Sequence, residues 1–106
     1  MKKLEKFLTK DGTKERCGLI LSRNRVVESE NVADDPVAGF EVDPHDLVKY
    51  DGKIVGTWHT HPGKPSAFSQ ADYFGFAQWP DLKHWIVGTD GVRCYAIEDG
   101  IVVNAD

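Results

Sequence analysis

The sequence predicts an α/β (α+β) sandwich, a mixed β-sheet flanked by helices. Three observations predict it: short β-branched and aromatic runs recur, two helix-start signals fall between them, and glycine- or proline-bearing turns separate the elements. The resulting order is helix, strands, helix, central strand, helix, strands. With 106 residues, 41% of them hydrophobic, the chain reads as one domain over 1–106 that can bury a core without staples.

Leu4, Phe7 and Leu8 fall at i, i+3 and i+4 among lysines, a short amphipathic helix that Asp11 and Gly12 stop. Residues 17–21 form a compact apolar run suited to a buried strand. Asn24 precedes a second candidate strand, Arg25 to Ser29, so the two predict a hairpin across a tight turn. Residues 31–39 carry Asn, Asp, Pro and Gly and read as loop. Asp43 then caps a helix that opens with Pro44.

After the Asp51–Gly52 turn, Lys53 to Thr60 is the strongest strand signal in the chain. A proline and glycine loop runs from Pro62 to Pro65. Ser69 opens a second helix to about Gln78, with Asp72 in its first turn, where a carboxylate is favoured. His84 to Thr89 and Val92 to Ile97 read as strands joined by a Thr-Asp-Gly turn. Ile101 to Val103 is a last short one.

Charge bounds the function. The formal net charge is -4, the wrong sign for a protein whose main task is phosphate binding, and no nucleic-acid partner is expected. Residues 1–16 carry six Lys or Arg against three acids, which reads as a solvated helix face. From Glu28 to Asp46 there are seven acids and no Lys or Arg, either solvated loops or a surface that receives a basic partner. Cys17 and Cys94 sit in apolar strand-like runs and read as buried free thiols in a reducing compartment. No run approaches a membrane span and no signal-peptide segment opens the chain. A cytoplasmic protein without a membrane partner is therefore expected.

The stretch that carries chemistry is His59-Thr60-His61-Pro62, followed after a short loop by Ser69-Gln70-Ala71-Asp72. Alternation in a strand projects His59 and His61 to one face, and Trp58 and Thr60 to the other. Pro62 ends the strand, and the loop lets the next helix return Asp72 to the same place as a third ligand. Two nitrogens and one oxygen suit Zn2+ with a fourth position open, the layout of a catalytic site. A His-x-His pair alone fits packed or surface histidines equally well. The proline, the Ser-x-x-Asp helix start and an upstream Glu together favour the metal. His45 and His84 read as ordinary polar and strand residues, and Trp58, Trp79 and Trp85 as packing, with a wall of the substrate cleft as the alternative for one of them. Taken alone, Glu15 reads as the solvated end of a charged run.

The pattern Glu … His-Thr-His-Pro-x6-Ser-x-x-Asp resembles the motif of JAMM/MPN+ metalloproteases, the Mov34/PAD-1 and prokaryotic JAB group. The segment from Glu15 through Cys17-Gly18-Leu19-Ile20 is similar to the family's Glu-x-Cys-Gly-Leu-Leu start. The resemblance covers roughly Glu15 to Val103 and implies the JAMM/MPN fold, which is related to that of cytidine deaminase. It also implies zinc on His59, His61 and Asp72, Glu15 as catalytic base and then acid, and Ser69 as oxyanion donor. The reaction implied is hydrolysis of a peptide or isopeptide bond. The run from Phe40 to Asp46, together with Trp85-Ile86-Val87, looks most like JAMM domains of phage tail-tip assembly proteins. The implied partner is thus a protein or peptide, with a ubiquitin-like domain or a tail-assembly protein as candidate, in a bacterial or phage-infected cell.

Two other readings stand beside the peptidase. Members of this fold that have lost the metal serve as non-enzymatic scaffolds in assemblies. A branch linked to DNA repair has a similar His-x-His-Pro block, and the acidic charge speaks against it. A nucleobase deaminase would want His-x-Glu and Pro-Cys-x-x-Cys, and neither is present. Oligomeric state is not legible in the sequence.

Overall fold

The computed structural model describes residues 1–7 and 14–106. Its strands are β1 (Cys17–Leu21), β2 (Arg25–Ser29), β3 (Ile54–Thr60), β4 (Lys83–Gly88), β5 (Gly91–Glu98) and β6 (Ile101–Asn104). Its α-helices are α1 (Pro44–Lys49) and α2 (Gln70–Ala77). The strands form one six-stranded sheet in the order β2-β1-β3-β4-β5-β6. Every neighbouring pair is antiparallel except β3 and β4, which run parallel. A parallel pair needs a crossover, and residues 61–82, with α2 inside them, make it. This is the mixed sheet with helices that the sequence predicts.

Alternation along the central strands divides the core into two faces. Ile20, Trp58, Trp85, Val87 and Cys94 meet Leu4 and Phe7 on one face. That N-terminal segment, Lys2–Phe7, is the short helix the sequence suggests, and it is of the 3-10 kind. Three residues per turn put Leu4 and Phe7 on one line, so a 3-10 turn buries both with one face. Leu8 and the Asp11–Gly12 stop lie outside the described residues. Trp58 is fully buried here; its indole donates to the Val27 carbonyl at 3.1 Å, passing where a Cβ on Gly18 would stand 2.6 Å from Nε1.

The other face carries both α-helices. Cys17, Leu19, Leu21 and Val42 cluster with Leu47 of α1. Phe76 of α2 packs with Ile86 and Tyr95. The β1–β2 hairpin turns through Ser22–Asn24, with Arg23 and Asn24 in the left-handed region at φ 66° and 57°. Asp43 caps α1 by accepting from the His45 amide, with Pro44 first in the helix, as read from the sequence. No helix among the described residues is long and apolar enough to cross a membrane.

Candidate metal centre

The centre sits on the helix-covered face, at the carboxyl end of β3. His59 is next to last in β3 and His61 follows its end, so extended alternation sends both imidazoles the same way. Their Nε2 atoms are 3.1 Å apart. Asp72 comes from the first turn of α2 and spans the pair: Oδ1 is 3.0 Å from His59 Nε2, and Oδ2 is 3.0 Å from His61 Nε2. Glu15 arrives from the adjacent strand. Cys17 lies opposite His59 in the β1–β3 ladder, and the Thr60 amide still bonds the Arg16 carbonyl at 2.9 Å. Continuing that register sets Glu15 level with His61. The ligand atoms of Glu15, His59 and His61 all lie within 4.8 Å of one another.

Asp72 is aimed by the helix start. Its backbone amide donates to Ser69 Oγ at 3.1 Å, and its Oδ2 accepts from the Ser69 amide at 2.9 Å, a reciprocal capping box. The sequence signal for a helix N-terminus is therefore also what fixes the carboxylate. Ser69 Oγ accepts in this arrangement, so its O–H remains free to donate elsewhere.

The ring nitrogens can be assigned from their partners. His61 Nδ1 is 2.9 Å from the Pro65 carbonyl, which can only accept, so Nδ1 carries the proton. In the neutral ring, Nε2 then presents a lone pair toward the Asp72 carboxylate and His59 Nε2. Acceptors that converge at about 3 Å repel one another unless a proton or a metal cation stands among them. A tetrahedral ion bound at about 2.0–2.1 Å spaces its donors roughly 3.3 Å apart, close to the spread seen here. Two imidazoles and a carboxylate are also the donor chemistry that zinc takes, and the residues fit it.

Burial sharpens these charges. His59 is fully buried, and His61, Asp72 and Glu15 are each less than a tenth exposed. Burial lowers the pKa of His59, against the hydrogen bond it donates to Asp72. Burial also works to lower that of His61, but its bonds to Asp72 and the Pro65 carbonyl outweigh it and the net shift is upward. Burial resists ionisation of Asp72, yet hydrogen bonds from His59 and His61 hold its carboxyl well below the usual range. Glu15 is pushed up to about 7, chiefly by burial. Its Oε1 is buried with no hydrogen-bond partner among the described residues, as is His59 Nδ1. A carboxylate oxygen so placed calls for a water or an ion beside it.

Three supports hold the cluster. Phe40 stacks on His59, with ring centroids 4.2 Å apart and planes 18° off parallel. The Asn31 amide donates to the carbonyls of Glu15 at 2.8 Å and Gly39 at 3.0 Å, tying the loop that carries Phe40 to the base of Glu15. On the other side, the loop after His61 is pinned to the β4–β5 hairpin. The Ser66 amide donates to Asp90 Oδ1 at 2.8 Å and the Tyr95 hydroxyl donates to the Ser66 carbonyl at 2.9 Å. That pinning places the Pro65 carbonyl against His61.

Over residues 2–98 the chain matches the family described as prokaryotic homologues of the JAB domain. The chain belongs to this family. The six-stranded mixed sheet and the cluster of Glu15, His59 and His61 at the end of β3 are consistent with a JAB domain. The solution structure of a Desulfitobacterium hafniense protein, a structural-genomics target, is similar with a TM-score of 0.69. That similarity covers 88% of this chain and 76% of that one at 24% identity, which speaks for the fold alone. No functionally curated protein matches the chain.

The sequence-predicted site residues of this JAB domain therefore come together: Glu15, His59, His61 and Asp72 in one cluster, and Ser69 bonded to Asp72. His45 is exposed beside Asp43, and His84 is buried, held by Thr57 Oγ1 at 2.7 Å and the Trp79 carbonyl at 3.1 Å, both apart from the ligand set. Trp58 and Trp85 are packing residues as expected, but Trp79 is 46% exposed. It falls just beyond the end of α2. Sequence reasoning missed Phe40, Pro65, Asp90 and Tyr95 as supports. Each touches the site through a loop or a distant strand, so no local spacing points to it.

Proposed function

We propose that this JAB domain is a zinc-dependent peptidase or isopeptidase. The observation that supports it is the convergence of two imidazoles and a carboxylate beside a buried Glu15 whose Oε1 has no hydrogen-bond partner among the described residues. His59, His61 and Asp72 would hold the zinc. When bound, the ion acidifies water and polarises a carbonyl at neutral pH.

The chain supplies the remaining chemistry. Glu15, with a pKa near neutrality, takes the proton from the attacking water as the water oxygen bonds to the carbonyl carbon. As the C–N bond breaks, Glu15 returns that proton to the leaving amine. The free O–H of Ser69 donates to the oxyanion that forms between these events. Phe40 and the buried sheet face keep bulk water from the imidazoles.

The substrate we infer is a protein with an extended tail, such as a ubiquitin-like domain or a phage tail-assembly partner. The likeness of Phe40–Asp46 and Trp85–Val87 to phage tail-tip domains supports that choice. The test is cleavage of a ubiquitin-like protein bearing a C-terminal extension, with zinc and with a chelator. Activity should disappear with the chelator and return with zinc. Glu15→Gln should keep full zinc stoichiometry and lose roughly a hundred- to ten-thousandfold in turnover. A zinc-loaded wild-type protein that cleaves no such substrate would instead favour an assembly scaffold in a cytoplasmic complex.

A further inference from the structure

Beside the cluster the helix-covered face opens into a groove of about 720 Å³ between α1 and α2. Its floor is Leu19, Thr57 and His84 of the central strands, and its helical walls include Leu47 and Gly75. The groove is continuous with the candidate centre, because Phe40 and Asp72 line it as well. At the α2 lip, Phe74 is 59% exposed and Trp79 46%. These are large apolar side chains that the described residues leave uncovered.

Two observations bear on what belongs there. Gly75 interrupts an eight-residue helix, where glycine costs about 1 kcal/mol against alanine. A Cβ at that position would meet nothing within 4 Å, so internal packing does not demand the glycine. The space it leaves opens on the groove, where an incoming chain could approach the helix backbone closely. Charge gives the second. Among the described residues Glu41 and Asp51 line the groove, beside the Asp72 already engaged by the histidines, and no Lys or Arg does. Asp43 and Asp46, at the start of α1, add further negative charge on that side.

We propose that this groove is the substrate-specificity site. It takes an extended polypeptide segment that inserts one bulky apolar side chain, with Lys or Arg beside it. This deepens the peptidase reading and rests on it for the word substrate. Occupancy of the groove would bring the neighbouring peptide bond alongside Asp72 and Glu15. The apolar side chain supplies affinity through burial, and the basic neighbour meets the acidic rim, which sets specificity and the rate of encounter.

The test reads binding rather than turnover, so its failure is distinct from a failure of the peptidase reading. The probe is a fluorescein-labelled, end-blocked hexapeptide with one Phe flanked by Lys, followed by anisotropy on the Glu15→Gln chain with zinc and with chelator. Replacing the peptide's Phe by Ala should weaken binding about ten- to a hundredfold. Replacing its Lys by Glu should weaken it several-fold at low salt, and less at high salt. Gly75→Ala keeps the helix and the space and should bind as before, whereas Gly75→Leu fills the space and should lose binding. Glu41→Lys with Asp51→Lys removes the charge preference without touching the packing. Equal binding of the Phe and Ala peptides, or Gly75→Leu binding as tightly as Gly75→Ala, would overturn the proposal. So would a wild-type dimer that Gly75→Leu converts to monomer, since the groove would then belong to a second copy.

Discussion

Gly88 at the end of β4 lies against the loop that follows His61, and Gly88→Ala is a direct test of how the candidate centre is held. A Cβ there would stand 2.2 Å from the Ser66 amide nitrogen, 2.5 Å from the Pro65 carbonyl carbon and 2.7 Å from Ser66 Cα, all backbone. Reaching ordinary contact at 3.4 Å requires the loop to withdraw by about 1.2 Å, from 2.2 Å. The loop has little freedom to do so. Ser66 is bonded to Asp90 and Tyr95, the Lys64 carbonyl accepts from the Thr89 amide, and the Pro65 carbonyl holds His61 Nδ1. A shift of that size breaks at least one of these bonds. Overpacking of this kind costs roughly 1–3 kcal/mol. Loss of the Pro65 bond frees the His61 ring, and disturbing such an outer partner typically costs ten- to a hundredfold in metal affinity. Zinc affinity is measured by competition with a chromophoric chelator, and stability by melting the metal-free protein. Tyr95→Phe, which removes one bond without a clash, should move both quantities the same way by less. Zinc affinity unchanged in Gly88→Ala would refute the idea that this loop orients His61.

Asn31→Ala should destabilise by about 2–3 kcal/mol, since one side chain serves the Glu15 and Gly39 carbonyls and the Ala33 and Glu41 amides. Denaturant titration reads the loss, and a change under about 0.5 kcal/mol would show that the loop is held otherwise. Ser69→Ala should cost about 1 kcal/mol as a lost helix cap and, separately, a hundred- to thousandfold in turnover. A lower melting point with normal turnover would reduce Ser69 to a cap. In metal-free protein the Glu15 carboxyl titrates near 7, above its ordinary value of 4.5, because burial disfavours the charge. The folded state thus holds more protons than the unfolded state between those values, so stability falls as pH rises through that window. Glu15→Gln should lack that fall, and parallel stability curves for the two proteins from pH 4.5 to 7 would contradict the burial of Glu15.

Much of this was legible along the chain because the signals are local. Asp43 and Pro44 announce α1, Ser69 and Asp72 announce α2, and both caps form as the spacing requires. The β-branched run before His59 marks β3, and period-two alternation alone puts His59 and His61 on one face. The N-terminal segment was less legible: lysines and apolar residues at i and i+3 suit α and 3-10 turns alike, and packing of Leu4 and Phe7 under the sheet decided between them.

What the amino-acid order determined is therefore the set of elements and the two histidines and the aspartate that sit within thirteen residues of one another, from Asp72 back to Glu15 only by family likeness. What tertiary structure decided is that Glu15 stands beside them. Forty-odd residues intervene, and only the antiparallel pairing of β1 with β3 sets it level with His61. The same pairing of distant strands chose Phe40, Pro65, Asp90 and Tyr95 as supports, and left open the groove between α1 and α2. Caps and alternation act over a few bonds and can be read in order, whereas burial, ring stacking and shared carboxylates arise between chain segments that meet only when the sheet closes.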